Sequence, residues 1–253
     1  MISADLAHNS TAIPQHHWSY PEWKSTLTKV HGVVFVLAWL FFVPVAVGAA
    51  RYFRDTLTKY TPMGMRLWFH VHRTFNIVAA VLMIVGLVCI FVAHEWRWLG
   101  PKVGGERNNS ATAYHTMFGL FSVLLAWLQP LNSLLRCGPN HKLRALFNWT
   151  HRFLGLISWL FAAATIMIAC KFFAWEFVNS HVAIATCGVA IGVIGFCVLV
   201  SEMIAFRARR SHQKRDPEKT HWTTFMQSTV IGFSSATLLI LVTILCVLIG
   251  VRT

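Results

Sequence analysis

Long apolar runs alternate with short polar, basic segments along this chain. Six runs, 28–51, 67–93, 113–136, 149–171, 180–206 and 223–251, are long enough to cross a bilayer as helices, which takes roughly 20 apolar residues. The pattern predicts an all-α integral membrane protein with six transmembrane helices. Residues 1–27 are left as a short extracytoplasmic tail and 28–251 as one membrane domain. Polar residues are sparse inside the runs, yet each of the first four opens on histidine: His31, the pair His70 and His72, His115, and His151. An ionisable side chain inside a membrane segment is expensive, and is a functional candidate by default.

Composition agrees with the pattern. Only 12% of the 253 residues are charged and 56% are hydrophobic, against about 25% charged in soluble domains. A net charge of +13 would suggest nucleic acid in a soluble protein, but here the distribution points to a lipid membrane. Most Lys and Arg, among them Arg51, Arg54, Lys59, Arg66, Arg136, Lys142, Arg144 and Arg207, fall on one side of the bundle. That side is cytoplasmic by the positive-inside rule, which places both termini outside, in a plasma membrane or endomembrane vesicle. Glycosylation sequons at Asn9 and Asn108 lie on the outer side, and a third at Asn148 lies on the inner side, where it stays unused. Trp18, Tyr20 and Trp23 suit an interfacial aromatic belt. The six cysteines show neither a disulfide framework nor a zinc-type pair. Cys89, Cys170, Cys187, Cys197 and Cys246 read as small core residues, and Cys137 as a thiol at the cytoplasmic edge.

Helix direction sorts the histidines. Helices 1 and 3 start outside, so His31 and His115 share an outer layer; helices 2 and 4 start inside, so His72 and His151 share an inner one. His70 and His72 stand about 200° apart around a helix, so only one faces the interior, and the deeper His72 is the candidate. Two imidazoles facing each other from two helices, without Cys or carboxylate, suit bis-histidine haem iron. Zinc would want four ligands in one place. A proton relay would want acidic partners, and the interiors of helices 1–4 carry no Asp or Glu. About 15 residues separate the layers, or on the order of 20 Å. Gly119 and Gly155 each follow a histidine by one turn, leaving room for a flat ligand. Arg73 and Arg152 adjoin the inner histidines and are candidate partners for propionates. The basic inner surface would attract an anionic reductant.

At these residues the chain resembles the cytochrome b561 superfamily, and within it the membrane domain of the ferric-chelate reductase 1 type. The resemblance rests on His31-Gly32, Ala49-Ala50-Arg51-Tyr52-Phe53, Trp68-Phe69 through His72-Arg73, His115 with Gly119, Trp127-Leu128-Gln129-Pro130-Leu131 and Phe147-Asn148-Trp149-Thr150-His151. It covers roughly residues 25–251. It implies that His31, His72, His115 and His151 ligate two haem b groups. The implied activity is that of an oxidoreductase carrying electrons from cytoplasmic ascorbate to an outer acceptor such as ferric chelate or monodehydroascorbate; a homodimer is compatible with it. Two departures stand out. The ferric-chelate reductase type carries reelin-like and DOMON domains where this chain offers a short tail. The ascorbate-using branch has Ser-Leu-His-Ser-Trp where this chain has Ala113-Tyr114-His115-Thr116-Met117. A reading from a different class is a haem-free receptor or scaffold built on the same bundle.

Overall fold

A computed structural model describes residues 21–54, 60–102, 108–134, 138, 140–210 and 217–250. The expectations for Asn9, Trp18, Tyr20, Lys59, Arg136 and Cys137 lie outside the described residues. Among those described, six helices are long and apolar enough to cross a membrane. We label them α1 (Glu22–Tyr52), α2 (Leu67–Ala93), α3 (Ala111–Leu134), α4 (Arg144–Phe172), α5 (Ser180–Arg210) and α6 (Pro217–Gly250). The boundaries of α2 coincide with the apolar run. Others extend past theirs: α1 begins six residues early, directly after Pro21, whose extended backbone (ψ 131°) sets the break. α4 begins at Arg144 rather than 149 because nothing in Arg-Ala-Leu-Phe-Asn breaks a helix. The Asn148 sequon is therefore helical.

Chain neighbours pack side by side, α1 with α2, α3 with α4 and α5 with α6, while α6 also packs on α1 and α5 on α4. The core runs through Trp39, Leu40, Met83, Val123, Leu245 and Val242. Exposed large apolar residues such as Ile84, Val88, Leu124, Phe196 and Phe233 face the surroundings, as lipid contact requires. Cys170 and Cys187 are buried as expected, but Cys89, Cys197 and Cys246 are only half-buried. Near the C-terminal ends of α1 and α5, Arg51 donates two hydrogen bonds to Glu202 (2.8 and 3.0 Å), and Tyr52 Oη donates a third (3.1 Å).

The first helix is not regular. Pro44 cannot donate to the carbonyl of Leu40 and crowds it, and residues Ala38–Phe42 just before it form a π-helical turn. Across that turn the Val43 N–H reaches back to Ala38 O. The carbonyl of Trp39 thus loses both natural donors, Val43 to Ala38 and Pro44 to its ring. Trp159 of α4 replaces them, its indole N–H donating to Trp39 O at 3.2 Å. The bend anticipated at Pro44 takes the form of a widened turn that ties α1 to α4 in mid-membrane.

Candidate functional site

The four helical histidines come together in two pairs, each at a different depth. His31 of α1 and His115 of α3 have ring centroids 6.2 Å apart, and His72 of α2 and His151 of α4 have centroids 6.3 Å apart. The pairs join helices of like direction, as alternation of direction requires. His70 is not in either pair; its Nε2 donates to the carbonyl of Pro62 (2.8 Å), in the short turn that precedes α2.

Three of the four rings are oriented by backbone carbonyls. His31 Nδ1 donates to Gly86 O (3.0 Å), His72 Nδ1 to Ala46 O (3.0 Å) and His115 Nδ1 to Thr165 O (3.1 Å). A carbonyl can only accept, so Nδ1 carries the proton and the lone pair stays on Nε2. This is the tautomer a metal-ligating imidazole needs, with its other nitrogen fixed by an acceptor. α1 and α2 make the exchange reciprocally: Gly86 of α2 holds the α1 histidine, and Ala46 of α1 holds the α2 histidine. Asn76, one turn beyond His72, donates to His72 O (2.7 Å).

An apolar cavity opens around the His31–His115 pair, lined by Phe35, Trp39, Leu87, Gly119, Leu120 and Thr165. About 1050 Å³ of space, open solvent at its mouth included, lies between these side chains. The Phe35 ring lies tilted against His31 (centroids 4.8 Å apart), and Phe173 meets His115 edge to face (5.1 Å). His94, Arg97 and Trp98, just past the C-terminal end of α2, line it as well. Burial, and after it Lys24, hold the pKa of His94 below the usual imidazole value. Lys24 in turn pairs with Glu95, which also meets Arg97 at 3.2 Å. Inside the cavity the Trp39 indole N–H and the Thr165 hydroxyl are buried without a partner.

Haem fits these pairs on geometry and on donor chemistry. With metal–imidazole bonds of about 2.0–2.1 Å and a ring centroid roughly 1.2 Å behind its nitrogen, two imidazoles on one iron have centroids roughly 6–6.5 Å apart. Both pairs meet that spacing. Among the described residues no group of three or more His, Cys, Asp or Glu gathers for a metal. Two protein ligands therefore suit a metal whose other positions are filled by a macrocycle.

The glycines flanking the site differ. A Cβ on Gly155 would meet nothing within 4 Å, so there is open space one turn from His151, whereas one on Gly119 would touch Thr165 Cγ2 at 3.4 Å. Arg73 is exposed, with its guanidinium over the Phe69 ring at 5.7 Å, and Arg152 is exposed as well. Sequence reasoning overlooked Ala46, Gly86 and Thr165, which act through backbone carbonyls. The spacing that could have found them is the interval between each histidine and the acceptor on its own helix: His72 to Gly86 and His151 to Thr165 are both fourteen residues, nearly four full turns.

A six-helix membrane bundle with imidazole pairs at two depths defines the class of transmembrane b-type cytochromes. The chain belongs to the eukaryotic cytochrome b561 family, whose model matches residues 30–176. Membership makes it an integral membrane protein and implies b-type haem. Among curated proteins it is similar to human ferric-chelate reductase 1, 28% identical over 193 residues, which cover 76% of this chain and 31% of that protein. A putative ferric-chelate reductase 1 homolog of Drosophila melanogaster is 29% identical over 145 residues, 57% of this chain and 20% of that protein. A cytochrome b561 and DOMON domain-containing protein of Arabidopsis thaliana is 28% identical over 148 residues, 58% of this chain and 32% of that protein. The chain thus spans about a third or less of the length of these three relatives. No solved structure matches it.

Proposed function

We propose that this chain moves electrons across a membrane through two b-type haems, the outer held by His31 and His115 and the inner by His72 and His151. The observation that carries the reading is the repeated ring spacing, 6.2 Å outside and 6.3 Å inside, together with the fixed Nδ1–H tautomers. When bound, each iron supplies one-electron redox chemistry. The protein's part is to place and insulate: the apolar lining of the outer cavity excludes water, and the carbonyls of Gly86, Ala46 and Thr165 hold the rings in register. Along α1, His31 and the Ala46 carbonyl that holds His72 are fifteen residues apart, or roughly 22 Å. Haems held by the two pairs would lie in layers separated by that rise, a separation compatible with direct electron transfer.

The donor side is the basic one. Arg54, Arg66, Lys142 and Arg144 line inner segments; Arg54 lies over Trp68 at 5.4 Å, and Arg66 donates to Arg54 O at 3.2 Å. Arg51 is engaged by Glu202 and contributes less free charge. Such a rim attracts an anionic reductant of the ascorbate kind, with Arg73 and Arg152 serving the inner propionates. The acceptor outside is a ferric chelate, in line with the names of the ferric-chelate reductase relatives and with the cationic mouth at Arg97, or else monodehydroascorbate. The test is a spectrum of chain purified after haem-replete expression. Two b-type haems per chain, reducible by ascorbate, are expected. A colourless bundle would overturn this reading in favour of a haem-free receptor or scaffold.

A further inference from the structure

The chain leaves α2 through a left-handed closure. Glu95 N–H donates to Val92 O (3.1 Å) and Trp96 N–H reaches back to Phe91 O (2.8 Å), the paired bonds that satisfy the last carbonyls of a helix. His94 is the capping residue, so Glu95 falls where such closures take a left-handed residue, usually glycine. Its φ is 55°, and that of Trp96 after it is 60°. A side chain is costly in that conformation, so glutamate is a poor choice for the helix end alone. Trp96 supplies the apolar contact that accompanies these closures, stacking on Phe91 with ring centroids 5.7 Å apart.

The Glu95 carboxylate is engaged elsewhere. It pairs with Lys24 of α1, and Arg97 reaches it at 3.2 Å. Lys24 precedes His31 by seven residues, which places it on the same stripe of α1, about 10 Å nearer the helix start. The ion pair therefore fastens α1 to the segment after α2 at one end of the cavity around His31 and His115. That segment is part of the cavity wall: His94, Arg97, Trp98 and Leu99 line it, together with Phe91 at the end of α2. Trp98 folds back over Gly100, where a Cβ would collide with its ring, and its indole N–H donates to Pro101 O at 3.1 Å.

Resting on the haem reading above, we propose that His94–Gly100 is a strap that closes the His31–His115 site and is latched to α1 by the Lys24–Glu95 ion pair. Latched, the strap completes the wall that retains haem and excludes water. Unlatched, the backbone at Glu95 and Trp96 is free to leave its left-handed conformation, and the wall opens. The latch uses a carboxylate that glycine, the better residue for the closure, lacks. Glu95 is half-exposed, so dissolved salt screens the pair and loosens the strap.

The experiment is transfer of haem from the purified full chain to excess apomyoglobin, followed by absorbance at low and at high salt. The haem of the His72–His151 site is the internal reference, identified from His115→Ala, which keeps that haem alone. Lys24→Met and Glu95→Gln are each expected to speed haem loss from the His31–His115 site by about 2–5-fold, the range of an exposed ion pair. The double variant should be no faster than Glu95→Gln, because both changes break one interaction. High salt should speed the loss in wild-type chain and leave the double variant unmoved. Glu95→Gly separates the latch from the helix end: its thermal unfolding midpoint should hold or rise, yet haem should leave as fast as from Glu95→Gln. The proposal is overturned if the single variants match wild type, if their effects add, if the reference haem is lost equally fast, or if Glu95→Gly retains haem as wild type does. Wild-type chain with two haems beside unresponsive variants defeats this inference alone; wild-type chain without haem defeats the functional reading as well.

Discussion

His31 Nδ1 donates to the carbonyl of Gly86 at 3.0 Å, and Gly86 has no room for a side chain. A Cβ there would stand 2.5 and 2.7 Å from the Phe35 ring and 2.8 Å from Val34 Cγ2. Phe35 itself lies against His31, centroid to centroid 4.8 Å. The glycine thus sets both the height of the acceptor and the position of the ring beside the histidine.

Gly86→Ala is therefore expected to push Phe35 toward His31 and spoil the outer pair while sparing the inner one. Overpacking of this kind destabilises by typically about 1–3 kcal/mol. The measurement is haem per chain, expected to fall by about half, with a lowered thermal unfolding midpoint in detergent. Full haem content with an unchanged outer spectrum would show that α1 and α2 part without consequence for the site.

The pairing makes a sharper statement. His31→Ala and His115→Ala should each remove the same haem, and His72→Ala and His151→Ala the other, because the close rings are 31 with 115 and 72 with 151. Spectra of the four single variants and of the double variant His31→Ala/His115→Ala decide it. The double variant should still carry one haem. Loss of all haem in that variant, with the fold intact, would mean that the two layers are not independent sites.

Much of this arrangement was legible in the chain. Alternating helix direction with a histidine at the head of each of four runs yields two layers and assigns members to each without coordinates. What stayed hidden was the set of groups that orient the rings. Gly86 and Ala46 act through backbone carbonyls, which carry no side-chain signal, and Gly86 reads by itself as ordinary helix packing. The fourteen-residue interval was present in the sequence, but α1 departs from it by one residue. That departure becomes intelligible only when the π-helical turn is seen. Helix limits shifted wherever polar residues with good helix propensity extend an apolar run, as at Arg144 and Glu22, since hydropathy marks the membrane and not the end of the helix.

The π-helical turn has a consequence of its own. Trp39 O has lost both helical donors and depends on the Trp159 indole N–H at 3.2 Å. Trp159→Phe keeps the aromatic volume and removes the donor, leaving a buried carbonyl unsatisfied, at a cost of about 1–3 kcal/mol. Thermal unfolding in detergent should show the loss. Pro44→Ala in the Trp159→Phe background should recover part of it by restoring a donor to α1. Wild-type stability in Trp159→Phe would mean that the Trp39 carbonyl has another donor, and that the link between α1 and α4 is incidental.

His70 and His72 lie within one turn, and the structure gives them different work. His70 Nε2 donates to Pro62 O at 2.8 Å, closing the turn in which Met63 and Gly64 take positive φ (53° and 77°). His72 Nδ1 instead donates to Ala46 O inside the bundle, and its ring faces that of His151. His70→Gln preserves a donor for Pro62 O and touches neither pair, so both haems should remain and at most reduction by ascorbate should slow. His72→Gln should remove the inner haem and leave the outer. The check is haem stoichiometry in each variant, followed by the rate of reduction by ascorbate in His70→Gln. Loss of a haem in His70→Gln with both retained in His72→Gln would reverse the roles of the two residues and rotate α2 by about 200° relative to the site described above.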